Sequence, residues 1–176
     1  MATFNIDTTH SEIGFTVRHM MFAKVRGQFK GWTAAFGYDA QDPTKSTVKV
    51  DIDAASIDTR EAQRDGHLRS ADFFDAEKFP KLSFQSKKIE AQGKGHYKLT
   101  GDLTIRDVTR EVTLDVEQTG SGTDPWGNAR LGFSAKTSIN RSDFGLKWNQ
   151  ALEAGGVLVS DKVEIEVEAQ AVQAKG

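Results

Sequence analysis

The sequence contains no cysteine, which excludes a disulfide framework, a thiolate metal centre and a cysteine nucleophile in any compartment. It has little net charge. Its 23 basic and 25 acidic residues leave −2 at pH 7, so the electrostatic footprint of a nucleic-acid-binding protein is missing and no nucleic-acid partner is expected. No apolar run approaches the roughly 18 residues of a membrane helix, and a spanning helix is not expected. The opening Met1-Ala2-Thr3-Phe4-Asn5-Ile6-Asp7 lacks the basic start and apolar stretch of a secretory leader. A cytoplasmic location is therefore expected, or a periplasmic one if a leader has been removed. The four histidines stand at 10, 19, 67 and 96, without the paired spacing of a zinc site, so neither metal nor cofactor is expected. Ser11, Ser70 and Ser142 lack the flanking glycines of a nucleophile elbow. Asp51 with Asp53, and Asp72 with Asp75, read as solvated strand-face and helix-turn acids rather than catalytic pairs.

What the chain has in abundance is alternation. Ile13, Phe15, Val17 and His19 fall on one face of a strand, with Glu12, Gly14, Thr16 and Arg18 on the other. The pattern returns at Val48, Val50, Ile52 and Ala54, at Leu82, Phe84 and Ser86, and at Tyr97, Leu99, Gly101, Leu103 and Ile105. It returns again at Val112, Leu114 and Val116, at Leu131, Phe133, Ala135, Thr137 and Ile139, and at Val163, Ile165, Val167 and Ala169. With residues 25–38 as a further strand, the reading is all-β, with eight antiparallel strands in a single domain over residues 1–176. Turn signals lie at Gln92-Gly93-Lys94-Gly95 and across 120–128. Residues 59–75 break the alternation and predict one or two short helical segments, with Asp58 or Thr59 as the cap. Eight such strands either stack as a sandwich or close into a barrel. Gly27, Gly31, Gly37 and Gly101 suit sharp bends around a barrel. The charged outer face would be costly against lipid, so the apolar face points inward.

Several segments, in order, resemble the YceI family of polyisoprenoid-binding, lipocalin-like bacterial proteins. They are Asp7-Thr8-Thr9-His10-Ser11-Glu12-Ile13-Gly14-Phe15, Val17-Arg18-His19-Met20-Met21-Phe22-Ala23-Lys24-Val25-Arg26-Gly27-Gln28-Phe29 and Ser56-Ile57-Asp58-Thr59. Next come Arg64-Asp65-Gly66-His67-Leu68-Arg69-Ser70-Ala71-Asp72-Phe73-Phe74-Asp75 with Phe79-Pro80, then Gly101-Asp102-Leu103-Thr104-Ile105-Arg106-Asp107-Val108-Thr109-Arg110 and Arg141-Ser142-Asp143-Phe144-Gly145-Leu146. Asp107 stands where the family pattern usually has glycine, at a hairpin corner that tolerates either. The resemblance implies a lipocalin-like eight-stranded antiparallel barrel, a short helical cover, and a long-chain isoprenoid or fatty-type lipid, of prenyl pyrophosphate or quinone type, threaded through the interior. It also admits a homodimer.

Inward positions supply the candidate liners: Phe15, Val17, His19, Phe29, Val50, Ile52, Leu82, Phe84, Leu99, Leu103, Ile105, Leu114, Phe133, Ala135 and Ile139, with Trp32, Phe36, Phe73 and Phe74 near an end. For each single aromatic, plain core packing competes with ligand contact. Small inward residues, Ala54, Gly101, Ala135 and Ala169, favour a cavity. Lys24, Arg26, Arg64 and His67 are head-group candidates with His19, against an ion-pair network among Arg64, Asp65, His67 and Arg69 that pins the helical cover. Trp126 and Trp148 are read as exposed, at a contact surface or a barrel mouth. The leading reading is non-catalytic binding, storage or transport. The alternative is a barrel enzyme acting on a small apolar or lipid substrate, with His19 and the Arg64-Asp65 pair as an acid/base set.

Overall fold

Nearly every second residue of the alternating segments is β-branched, aromatic or aliphatic, so each segment gains a buried face only as a strand. The computed structural model describes residues 1–20, 22–150 and 158–174. Its strands are β1 (Ala2–Ile6), β2 (Glu12–His19), β3 (Ala23–Phe29), β4 (Trp32–Tyr38), β5 (Thr47–Asp53), β6 (Ile57–Asp58), β7 (Lys81–Ala91), β8 (His96–Ile105), β9 (Val108–Thr123), β10 (Ala129–Asn140) and β11 (Lys162–Gln173). The helix is α1 (Ala62–Arg69).

The ladder register reduces these strands to eight long runs and the short β6. β1 and β2 are halves of one bent run, and β3 and β4 are halves of its hairpin partner. β1 pairs with β4 from Ala2↔Tyr38 to Asn5↔Ala35, and β2 pairs with β3 from Ile13↔Phe29 to His19↔Ala23. Each later run lies antiparallel to its predecessor. β11 closes the circle by pairing with both halves of the first run, at Phe4↔Gln173 and Phe15↔Ile165. The result is a closed eight-stranded antiparallel barrel. Closure gives each long run two ladder neighbours and rules out the sandwich.

One end of the barrel is plugged. Phe4, Phe36, Tyr38 and Phe133 pack as an aromatic cluster, with ring centroids 5.9 Å apart for Phe4–Phe36 and 5.6 Å for Phe36–Phe133, over buried Leu131 and Ala171. Arg130 ties the rim there, donating from Nε to Asp124 Oδ2 at 2.8 Å and from a terminal nitrogen to Asp7 Oδ2 at 3.1 Å. Hydrogen bonds from Thr9 and His10, with Arg130, hold the Asp7 carboxyl well below the usual carboxylate range. At the other end a larger core, including Phe29, Ile57, Phe73, Phe84, Ile105, Phe144 and Leu146, lies beneath α1.

Local chemistry departs from the sequence reading in two places. The cap of α1 is Glu61, whose carboxylate accepts the Arg64 N–H, rather than Asp58 or Thr59. Residues 57–58 are still paired with β3, so the helix starts only after the chain leaves that ladder. β9 runs through Thr123 with Gly120 and Gly122 still paired to β10, which shortens the 120–128 turn to the loop around Asp124. There Asp124 Oδ1 accepts the N–H groups of Trp126 and Asn128, each at 2.9 Å. Glycines inside strands also make room for rings. A Cβ on Gly27 would lie 2.4 Å from Phe15 Cζ, and one on Gly101 would lie 2.5 Å from Phe84 Cζ. Gly101 also faces a register shift on β7 between Ser86 and Lys88, the local bulge that its position suggested.

Candidate functional site

The inward faces of the eight runs enclose a cavity of about 810 Å³, inside the ~300–1,000 Å³ range of ligand pockets. A packed interior would leave these side chains buried. Instead Leu114, Val116, Ala135, Ile165 and Val167 line the cavity and remain half-buried. The interior is hollow between the aromatic plug and the core beneath α1.

All the inward and end positions named as candidate liners face this space: Phe15, Val17, His19, Phe29, Trp32, Phe36, Val50, Ile52, Phe73, Phe74, Leu82, Phe84, Leu99, Leu103, Ile105, Leu114, Phe133, Ala135 and Ile139. Phe36 belongs to the plug, whereas Phe73 and Phe74 sit under the helical cover. Arg64 and His67 also line the cavity, but Lys24 and Arg26 do not: they are exposed on the outer face of β3. The structure therefore brings three of the five cationic or imidazole candidates, His19, Arg64 and His67, to the cavity and leaves two outside it.

The mouth is marked by exposure. Of the lining residues, Arg18, Glu61 and Gln63 are exposed; Arg18 is on β2, and Glu61 and Gln63 are at the start of α1. Beside them His67 stacks edge-on against Trp148 at 4.7 Å and against Phe73 at 5.1 Å between ring centroids. Its Nε2 lies 2.9 Å from Asp72 Oδ2. Trp148 is thus half-buried at the mouth, contrary to its reading as exposed, while Trp126 is 76% exposed at the opposite, plugged end.

The cover is pinned through Thr59, not by an Arg64–Asp65 ion pair. Buried Asp65 accepts the Thr59 N–H at 2.9 Å and the Thr59 hydroxyl at 2.5 Å on the same oxygen, Oδ1. Arg64 donates from Nε to Thr59 Oγ1 and from a terminal nitrogen to the Thr59 carbonyl, both at 2.7 Å. Asp65 is absent from the cavity lining, so the acid/base set of His19, Arg64 and Asp65 is not assembled around one space. Arg69 instead donates to the Ala55 carbonyl at 3.0 Å.

Arg141 is the structural residue that the sequence reading left without a role. It is 5% exposed and donates from Nε to the Ser160 carbonyl at 2.9 Å, from one terminal nitrogen to Leu146 and Trp148 carbonyls at 2.7 and 2.8 Å, and from the other to the Val159 carbonyl at 3.3 Å. Burial pulls its pKa down from the ordinary guanidinium value. Four carbonyl dipoles replace the water its charge has lost. In doing so it ties residues 146–148 to residues 159–160, the two irregular segments beside the mouth. A signal existed: Arg141 continues the inward series Leu131, Phe133, Ala135, Thr137, Ile139 by one further step of two.

A closed antiparallel barrel with a hollow apolar interior, plugged at one end and open beside a helical cover, is a container architecture. The chain belongs to the YceI-like domain family, whose model matches residues 4–171. It is 39% identical to a UPF0312 protein of Serratia proteamaculans, with 99% of this chain and 88% of that one aligned. Among solved structures, a YCEI protein of Campylobacter jejuni is similar at 32% identity and TM-score 0.80, covering 96% of each chain. A polyisoprenoid binding domain from Saccharophagus degradans shares the fold at 13% identity and TM-score 0.69, covering 99% of this chain and all of that one. Among the described residues no helix is long and apolar enough to cross a membrane.

Proposed function

We propose that this protein is a non-catalytic carrier or store for a long-chain isoprenoid or similar amphiphile, with the chain in the barrel and the head group at the mouth beside α1. The observation that carries the proposal is the hollow interior, in which inward apolar side chains are left half-buried along a cavity of about 810 Å³. Each ligand methylene moved from water into such a space gains about 0.8 kcal/mol before ordering costs, so a prenyl tail binds by apolar contact without directional groups. Head-group chemistry falls to Arg64, Gln63 and His67, which offer donors at the rim. A pyrophosphate suits the guanidinium best, and a quinone needs only one donor. The name of the Saccharophagus domain supports the isoprenoid class by shared fold.

Native mass spectrometry of the purified protein, beside an organic extract, tests this directly. One bound isoprenoid or other long-chain lipid per chain is the expected result. Ala135→Phe, which plants a ring in the hollow opposite neither plug nor cover, should reduce uptake of added long-chain isoprenoid while the circular dichroism spectrum stays that of the parent. Absence of any bound lipid together with failure to take up added isoprenoid would overturn the carrier reading. Turnover of a lipid that Asp65→Asn or His19→Ala abolishes, with binding retained, would replace it with the enzyme.

A further inference from the structure

Among the described residues, four large apolar side chains are left exposed: Met1, Met20, Phe22 and Trp126. Two of them, Met20 at 41% and Phe22 at 77% exposure, share the single tight turn between β2 and β3. Met20 sits there at φ 53, a left-handed conformation uncommon for a residue with a side chain. An isolated exposed aromatic needs no explanation. A pair on one projecting tip does, and the charge around it says what it suits.

The stretch from Ile13 to Tyr38 contains four basic residues, Arg18, Lys24, Arg26 and Lys30, and no acidic one, in a chain whose net charge is −2. Lys30 is spoken for by Asp58 at 2.7 Å. Arg18, Lys24 and Arg26 are exposed and make no ion pair among the described residues. Glu164 of the neighbouring strand β11 lies level with Arg26, both opposite Thr16, and exposed Glu61 stands at the mouth, whereas Arg18 and Lys24, paired with each other next to the turn, have no acidic ladder partner among the described residues. An apolar turn flanked by cations that make no ion pair among the described residues matches an anionic bilayer surface: the ring enters the acyl boundary and the basic side chains reach the head groups. A second copy of this chain, carrying the same cations on the same patch, meets like charge instead.

The tip also adjoins the opening of the barrel. Arg18 and His19, the last residues of β2 before the turn, line the cavity, and His19 bridges to Val159 at the same rim. The Met20 N–H donates to the Leu158 carbonyl at 2.7 Å.

We infer that the β2–β3 turn is a membrane-docking tip that sets the barrel mouth against an anionic lipid surface, so that an apolar cargo passes between bilayer and barrel without crossing water. This goes beyond the carrier reading, and vesicle binding by itself does not depend on that reading. The test is flotation of the full chain with vesicles of phosphatidylcholine alone and of phosphatidylcholine with phosphatidylglycerol. The expected result is flotation with the anionic vesicles only, lost on raising salt to about 1 M, where the screening length is ~3 Å. Lys24→Gln with Arg26→Gln should weaken partitioning about thirtyfold, from the usual value of each juxtamembrane cation. Phe22→Ser should also detach the protein, yet leave uptake of isoprenoid added from detergent unchanged, and Trp126→Ser at the plugged end should behave as the parent. Equal flotation of the parent and the Phe22 and Lys24/Arg26 variants, or none by the parent, overturns the inference. Concentration-dependent dimers in light scattering that Phe22→Ser dissolves, without vesicle binding, overturn it in favour of a second copy. Loss of isoprenoid uptake by the parent itself strikes the carrier reading alone.

Discussion

Two leucines in the same barrel should respond very differently to truncation if the interior is hollow. Leu131 is 9% exposed and packs into the plug with Phe4, Phe36 and Ala171, outside the cavity lining. Leu114 points inward from β9, lines the cavity and is half-buried. Truncating a packed leucine costs ~2.7–5 kcal/mol, because a cavity term adds to the lost transfer energy, so Leu131→Ala should cost about 3–4 kcal/mol. At Leu114 the vacated volume merely joins space that is already empty. Only the transfer term for a half-buried side chain remains, about 1–1.5 kcal/mol from the ~1.5–3 of full burial. The difference of about 2 kcal/mol is about thirtyfold in the unfolding constant. Urea unfolding of delipidated protein, followed by circular dichroism with the slope checked for constancy, measures it. Saturating lipid should then restore contacts to Leu114, so that Leu114→Ala weakens lipid binding and Leu131→Ala leaves it intact. Equal costs for the two truncations in delipidated protein would show that side chains fill the barrel and would refute the reasoning.

Removing Arg141 should be more damaging than either leucine truncation with respect to the mouth: Arg141→Met removes the guanidinium donor from the Ser160, Leu146 and Trp148 carbonyls, leaving that of Val159 to Asn149 Nδ2, and is expected to cost about 3–5 kcal/mol, seen as earlier urea unfolding and faster amide exchange at Leu146 and Val159. The Asp124 carboxyl is held down at about 2 by Arg130, and by the N–H groups of Asn128 and Trp126. Its contribution is thus complete above the unfolded value of 3.8 and disappears as pH falls through about 2; thermal melts between those limits should flatten in Asp124→Asn relative to the parent. Gly101→Ala would drive a Cβ to within 2.5 Å of both Phe84 Cζ and the Gln85 carbonyl oxygen. Since that oxygen is backbone and cannot swing aside, a loss of about 1–3 kcal/mol is expected in the same urea assay.

Alternation of period two is a local property, and it sufficed to name seven strands and their inner faces, from Ile13 and Phe15 on β2 to Val167 and Ala169 on β11. Where glycine, turn or ladder competed, local signals misled. The extended glycines of β9 read as a turn because glycine carries no side chain to continue the alternation, although Gly122 pairs with Arg130 and Gly120 with Gly132 across the hairpin, and the helix cap moved to Glu61 because β3 holds residues 57–58. Lys24 and Arg26 were grouped with Arg64 and His67 by nearness to motifs, yet strand parity turns the first two outward, and only the fold puts the latter pair at the mouth.

The sequence by itself determined which side chains face inward, since adjacent residues of a strand must point to opposite sides whatever surrounds them. Whether those side chains meet across the interior was decided only in three dimensions, by barrel closure and the distance it sets between opposite walls. That distance leaves Val116, Ile165 and Val167 half-buried along the cavity, outside both packed clusters, and lets Phe4, Phe36 and Phe133 meet at the plug. The same chain-wide geometry, not any local motif, brought a basic apolar turn to the rim of the one end that opens.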